Sequence, residues 1–94
     1  MNEEAVTLAV AKAIRKAREE GGWTQEIFAH LAPMDRSFYG RVERGKQNLA
    51  LVTLCRVAGA LGVHPSRLLD GIDPIDLPPP APRPNAEEEW TSDA

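Results

Sequence analysis

The sequence has few of the residues that mark disulfide-linked, metal-binding or membrane proteins. Cys55 is the only cysteine among 94 residues, which excludes an internal disulfide and a zinc site built on cysteine pairs. His30 and His64 are the only histidines, and no HExxH motif is present. No run of about 18 apolar residues occurs, and the N-terminus lacks the basic stretch of a signal peptide. We therefore expect a soluble, cytoplasmic protein with no metal, no cofactor and no membrane partner.

Aromatic residues and catalytic motifs are also scarce. Aromatics make up 5 % of the chain, which is thin for an all-β sandwich and ordinary for a small helical domain. Gly21-Gly22 is followed by Trp-Thr-Gln, so the lysine and hydroxyl residue of a phosphate-binding loop are missing. Because no acid–base pair, activated nucleophile or metal cluster can be assigned, we do not expect an enzyme.

The net charge of −3 argues against a nucleic-acid-binding protein until its distribution is considered. Residues 1–70 contain ten basic and eight acidic side chains, a balance of +2, whereas residues 71–94 contain one basic and six acidic side chains, a balance of −5. Six of the eight prolines lie from Asp73 onward, where they prevent a regular helix or a central strand. We predict a folded domain at 1–70 and an extended or disordered acidic tail at 71–94.

Apolar residues in the first 70 positions recur with helical spacing in five segments. Capping residues precede several segments, and glycine or proline follows them. The predicted helices lie at about 4–20, 25–32, 36–44 and 50–60, with a short fifth helix beginning at 64–66. The apolar stripe of the fourth helix is expected to contain Leu51, Leu54, Val57, Ala58 and Leu61. These features predict an all-α bundle of five helices.

Residues 24–45 have the layout of a helix-turn-helix. Two short helices, capped by Thr24 and Asp35, are separated by about three residues, and the small Ala29 lies where crossing helices must approach closely. The second helix of such a pair can enter the major groove of DNA.

The third helix and the loop after it carry a basic surface. Four basic residues and one acidic residue occur between Arg36 and Asn48. Gly40 is unusual inside a helix, where glycine costs about 1 kcal/mol relative to alanine. A close approach to the DNA backbone would explain it, and so would simple weakness at the end of a short helix. Tyr39 and Val42 are expected to face the core. The opposite face then carries Arg36, Ser37, Gly40 and Arg41.

Four stretches carry a family pattern: IRKAR at 14–18, WTQEIFA at 23–29, VERG at 42–45 and LCRVAGALGV at 54–63. In this order and without gaps they resemble the Cro/C1-type helix-turn-helix repressors. The resemblance spans roughly residues 8–70. It implies a lambda-repressor-like fold, binding to double-stranded DNA, and a homodimer on a palindromic operator. Within the family, DRSFYGRVERGKQNLAL is most similar to the controller proteins of restriction–modification systems.

The resemblance also assigns roles to single side chains. Gln25 would contact a phosphate and brace the recognition helix, and Arg18 and Glu43 would form a buried or semi-buried structural ion pair. The remaining DNA contacts would come from Arg36, Ser37 and Arg41 at base edges and from Arg44, Lys46 and Asn48 at the backbone.

Three features depart from the family pattern. Pro33 replaces the usual turn glycine, so the turn must be built without a left-handed residue. Ala50 stands where a hydroxyl residue often caps the fourth helix, which makes Asn48 an alternative cap rather than a phosphate contact. Ile27 and Leu31 are apolar where relatives are usually polar, and they either form an exposed patch or pack on the N-terminal extension.

Two alternatives to a sequence-specific transcriptional regulator stay open at this point. An antitoxin-type regulator would bind a protein partner through the tail around Trp90. A helix-turn-helix used only for protein–protein contact would fit the negative net charge and the unusual turn.

Cys55 is expected to be a small, semi-buried side chain.

Overall fold

The computed structural model describes residues 1–84, which form five α-helices followed by one 3-10 turn. No β-strand occurs in this range. The five-helix, all-α prediction is confirmed, and the helix ends differ from it by at most one residue. The elements are α1 (Glu3–Glu20), α2 (Gln25–Leu31), α3 (Arg36–Glu43), α4 (Leu51–Leu61), α5 (Pro65–Leu69) and the 3-10 turn (Pro74–Asp76).

Side-chain caps set the starts of the first three helices. Asn2, Thr24 and Asp35 each accept a hydrogen bond from the backbone N–H three residues later, at 3.1, 3.2 and 3.1 Å. Each bond satisfies one of the N–H groups that a helix start leaves unpaired. α4 differs, because Ala50 precedes it and no side chain caps it. The alternative in which Asn48 caps α4 is therefore wrong, and its side chain is exposed.

Each helix contributes one large, fully buried side chain to a single core. Phe28 lies at its centre, with ring centroids 5.6 Å from Trp23 and 5.2 Å from Tyr39. Burying a side chain of this size contributes about 1.5–3 kcal/mol. The predicted core positions on α3 are confirmed, since Tyr39 and Val42 are buried, and Ala29 of α2 is buried as well. The large buried side chains are Ile14, Phe28, Tyr39, Val57 and Leu68.

Two expectations for α4 are wrong. Leu51, assigned to the core stripe, is 73 % exposed, and Cys55 is exposed rather than semi-buried. Leu54 and Val57 do pack inward. Leu51 shares their side of the helix, but it lies in the first turn, where no element within residues 1–84 covers it.

The turn between α2 and α3 is closed without a left-handed residue, as expected. Ala32 ends α2 with φ −82° and ψ 17°, and every residue of positive φ in residues 1–84 is a glycine outside this turn. The Met34 N–H donates to the Ala29 carbonyl at 2.9 Å. Pro33 has no N–H to satisfy and sits exposed between them.

The start of the tail turns back onto α1. The Asp73 side chain accepts a hydrogen bond from the Ile75 N–H at 3.0 Å and caps the 3-10 turn. The Asn2 N–H donates to the Asp76 carbonyl at 2.9 Å, and the turn contacts α1. The folded body therefore includes residues beyond the predicted boundary at residue 70. Residues 78–84 are exposed, and Trp90 lies outside the described residues.

Candidate nucleic-acid interface

A buried ion pair joins α1 to the end of α3. The Arg18 Nε and Nη2 atoms donate to Glu43 Oε2 and Oε1 at 2.5 and 3.0 Å. Arg18 Nη1 also donates to the Trp23 carbonyl at 2.7 Å. Arg18 and Glu43 are 8 % and 9 % exposed. The structural pair that the family resemblance implied is therefore present, and it holds the C-terminal end of α3 against α1.

Gln25 ties the start of α2 to the same carboxylate. Its Nε2 atom donates to Glu43 Oε1 at 2.9 Å, so the expected bracing of the recognition helix is present. A side-chain amide has two N–H hydrogens and a carbonyl oxygen, and this bond uses one hydrogen. Because Gln25 is half-exposed, the rest of its amide is free to meet a phosphate at the surface.

Burial and hydrogen bonding shift the pKa values of this cluster. Burial alone would raise the pKa of Glu43, but the hydrogen bonds it receives, chiefly from Arg18, hold the pKa below its usual value. The bond to Glu43 raises the pKa of Arg18, although burial opposes this. Burial raises the pKa of the Tyr39 hydroxyl, and the neighbouring Glu43 carboxylate adds to the rise. At neutral pH the ion pair is charged and the phenol is neutral.

Six of the predicted DNA-contacting residues are exposed on the other side of α3 and in the loop after it. Because Tyr39 and Val42 occupy the core side of α3, the exposed strip is contiguous along the helix. Gln25 borders it at the start of α2. The structure thus gathers the predicted set on one surface. Its exposed members are Arg36, Ser37, Arg41, Arg44, Lys46 and Asn48.

The exposed arginines of α3 fall into two arrangements. The Arg41 guanidinium lies over the Phe38 ring, 5.7 Å from its centroid, which restrains the side chain at the surface. Arg36 and Arg44 instead meet over Gly40: their Nη1 atoms lie 3.0 and 3.1 Å from the position where a Cβ on this glycine would be. This meeting was not predicted from the sequence, where its signal is a helical glycine with an arginine four residues away on each side.

The comparisons decide the family. The chain matches the helix-turn-helix family model over residues 14–68. The chain belongs to the Cro/C1-type helix-turn-helix family. It is 37 % identical to the control protein C.MunI from Mycoplasma over 62 residues, covering 66 % of this chain and 81 % of the relative. The family consists of regulatory DNA-binding proteins, so this chain is a DNA-binding transcription regulator related to restriction–modification controller proteins.

Two solved structures share the fold. The controller protein C.AhdI from Aeromonas hydrophila has a TM-score of 0.64 and 37 % identity, covering 66 % of this chain and 94 % of that one. A hypothetical transcription factor from Neisseria has a TM-score of 0.67 and 35 % identity, covering 73 % of this chain and 79 % of the other. The fold is therefore the same despite Pro33 in the turn and the apolar side chains of Ile27 and Leu31. These two side chains are 53 % and 51 % exposed. Of the two predicted outcomes for that pair, the exposed patch is the one observed.

No helix among the residues that the structure describes has the length and apolar character needed to cross a membrane. Within residues 1–84, no group of three or more histidine, cysteine, aspartate or glutamate side chains is placed to hold a metal ion.

Proposed function

We propose that this protein regulates transcription by binding a palindromic DNA operator as a homodimer. The observation that carries the proposal is the exposed basic strip of α3, which the buried Arg18–Glu43 pair holds at a fixed angle. Regulation follows from where the operator lies, by overlap with a promoter or by contact with polymerase. The relatives described above come from bacteria, which favours action on DNA in the bacterial cytoplasm.

Base recognition is assigned to the middle of the strip. Ser37 lies in the first turn of α3 and Arg41 lies one turn later on the same side. An arginine donates two hydrogen bonds to guanine O6 and N7, and each such pair discriminates by about 1–3 kcal/mol. Stacking on Phe38 lowers the entropy that Arg41 loses on binding, since the guanidinium is already restrained.

Backbone contacts are assigned to the border of the strip. Lys46 and Asn48 are exposed in the loop between α3 and α4, and Gln25 is half-exposed at the start of α2. Cations near DNA gain affinity through counterion release, whatever the base sequence. These side chains would set the register of the domain on the duplex.

An apolar patch on α4 supports the homodimer. Leu51 and Val52 are 73 % and 70 % exposed, and Cys55 is exposed one turn after Leu51. α4 follows the loop that carries Lys46, so the patch adjoins the proposed DNA-binding surface. A second copy related by a two-fold axis would cover the patch and place two recognition helices about 34 Å apart, one turn of DNA.

A binding-site selection from randomised duplexes, performed with the full chain at low salt, tests the proposal. We expect a short palindrome. R41A should relax the preference at one base pair in each half-site, whereas K46A should weaken binding to all sequences alike. If no sequence were enriched, the protein–protein interaction module would be the better account. If R41A and K46A both weakened all duplexes equally, the base-contact assignment would be wrong.

A further inference from the structure

Two residues of α3 and the residue that caps its C-terminal end form a distinct arrangement. Arg36, Gly40 and Arg44 follow one another at intervals of four residues, and both arginines direct Nη1 to the bare face of the glycine. The distances of 3.0 and 3.1 Å from the missing Cβ put the two nitrogens within about 6 Å of each other. Gly40 is buried although it lies on the exposed side of the helix, because these two side chains cover it.

Among residues 1–84, no acidic side chain neutralises the two guanidinium groups. Within residues 1–84 the ion pairs are Arg15–Glu19 and Arg18–Glu43, so neither Arg36 nor Arg44 has a carboxylate within 4.0 Å. Two cations at this separation repel each other. Their convergence is favourable when an anion lies between them and accepts hydrogen bonds from both.

We propose that Arg36 and Arg44 clamp one phosphate of the DNA backbone over Gly40. A guanidinium donates charge-assisted hydrogen bonds of about 2.8 Å to phosphate oxygens, and one phosphate spans two donors about 6 Å apart. The inference rests on the proposed function, since it names the ligand of two residues in the same DNA-binding surface. It moves Arg36 from a base edge to the backbone and leaves Ser37 and Arg41 as the base-contacting residues.

Gly40 is the positioning residue of the clamp. A Cβ at this position would lie closer to both guanidinium groups than ordinary van der Waals contact, so the two side chains would move apart. Because alanine is the better helix former, a glycine at position 40 costs helix stability. Gly59 in the middle of α4 is a matched control, because a Cβ there has no atom within 4 Å.

The experiment measures the affinity of the full chain for its selected operator, and for operators with single base-pair changes, over a salt series. R36A and R44A should each weaken binding by about tenfold, and equally for every operator. The double variant should weaken binding by less than the product of the two. The double variant should also make the negative slope of log K against log salt shallower by about 0.9, the value for one phosphate.

The glycine variants separate positioning from folding. G40A should bind all operators more weakly, by roughly threefold or more, while its melting temperature stays equal to or above that of the wild type. G59A should melt higher and bind as the wild type does. Loss of G40A affinity with a lowered melting temperature would indicate a folding defect and would overturn the positioning role.

Other outcomes would overturn the clamp itself. If R36A relaxed the preference at one base pair, Arg36 would contact a base. A slope change of about 1.8 in the double variant would mean two separate phosphates. If the wild-type chain selected no operator at all, the proposed function would fail, and this result is distinct from a wild type that binds normally and variants that do not respond.

Discussion

Arg18 of α1 and Glu43 of α3 meet in a bidentate ion pair that is almost fully buried. Gln25 donates to the same carboxylate, so three helices are joined at one group. The pair is buried, whereas Arg36, Arg41 and Arg44 are exposed. It therefore braces α3 from inside the fold.

Breaking this pair should destabilise the fold strongly. R18A or E43Q leaves a buried polar or charged group without its partner, which costs about 3–5 kcal/mol. The exposed Arg15–Glu19 pair, at 3.3 Å with side chains 63 % and 57 % exposed, provides the control. R15A should cost less than about 1 kcal/mol in the same urea unfolding experiment. Equal losses for R15A and R18A would contradict the structural importance of burial here.

The same carboxylate predicts how stability depends on pH. Because the pKa of Glu43 is lower in the folded chain than its usual value, its contribution is present above that usual value, near pH 4.5. The contribution is lost as the pH falls through the lowered pKa of the folded state. Urea unfolding between about pH 7 and pH 2 should show a steeper acid loss for the wild type than for E43Q. Parallel curves would show that Glu43 is not the responsible group.

The helices were predictable because their signals are local. Thr24 and Asp35 mark helix starts in the sequence, and both do so in the structure. Leu51 was assigned wrongly because periodicity identifies one side of a helix but not whether a neighbouring element covers it. Gly40 shows a further limit: the sequence places two arginines at intervals of four residues, but not the direction of their side chains.

The ion pair and the α4 patch required different kinds of information. Arg18 and Glu43 are 25 positions apart, and their pairing came from the family resemblance rather than from spacing. That Leu51 and Val52 are both exposed to solvent is known only from how α4 packs against its neighbours. Non-local packing therefore decided what the sequence pattern left open.

The α4 patch predicts how the proposed homodimer would be disrupted. L51E with V52E puts two charges into the proposed interface, where their desolvation opposes association. Sedimentation should show a monomer for this variant and a dimer for the wild type. I27E with L31E, on the exposed side of α2, is the matched control and should remain dimeric. A reversed result would place the interface on α2.

The cap of α5 predicts a modest and specific stability effect. The Ser66 N–H donates to His64 Nδ1 at 3.1 Å, and the five-residue helix anchors the buried Leu68. H64A should cost about 1 kcal/mol, whereas H64N keeps an acceptor at the cap and should recover most of the loss. Thermal unfolding of both variants checks this. If H64N were as unstable as H64A, the cap would not be the source of the effect.

The acidic tail predicts weaker non-specific DNA binding in the full chain. Asp76 is held against Asn2, and the start of α1 lines an open groove of about 590 Å³ together with Lys46 and Asn48. The tail therefore leaves the body at the N-terminal end of α1. Residues 85–94 contain four acidic side chains, and the chain length from Asp76 to Glu87 corresponds to a reach of up to about 35 Å.

The acidic tail would compete with DNA phosphates for the basic surface, at an effective concentration of about 1 mM because it is part of the same chain. This competition raises the Kd of weak, non-specific complexes by a few-fold at low salt. The variant E87Q/E88Q/E89Q should therefore bind random duplex about two- to fivefold more tightly near 50 mM salt, and equally near 500 mM. W90A, which keeps all four acidic charges, should bind as the wild type does. If W90A gave the gain and the triple glutamine variant did not, charge competition would be excluded, because the effect would then depend on the indole rather than on the carboxylates.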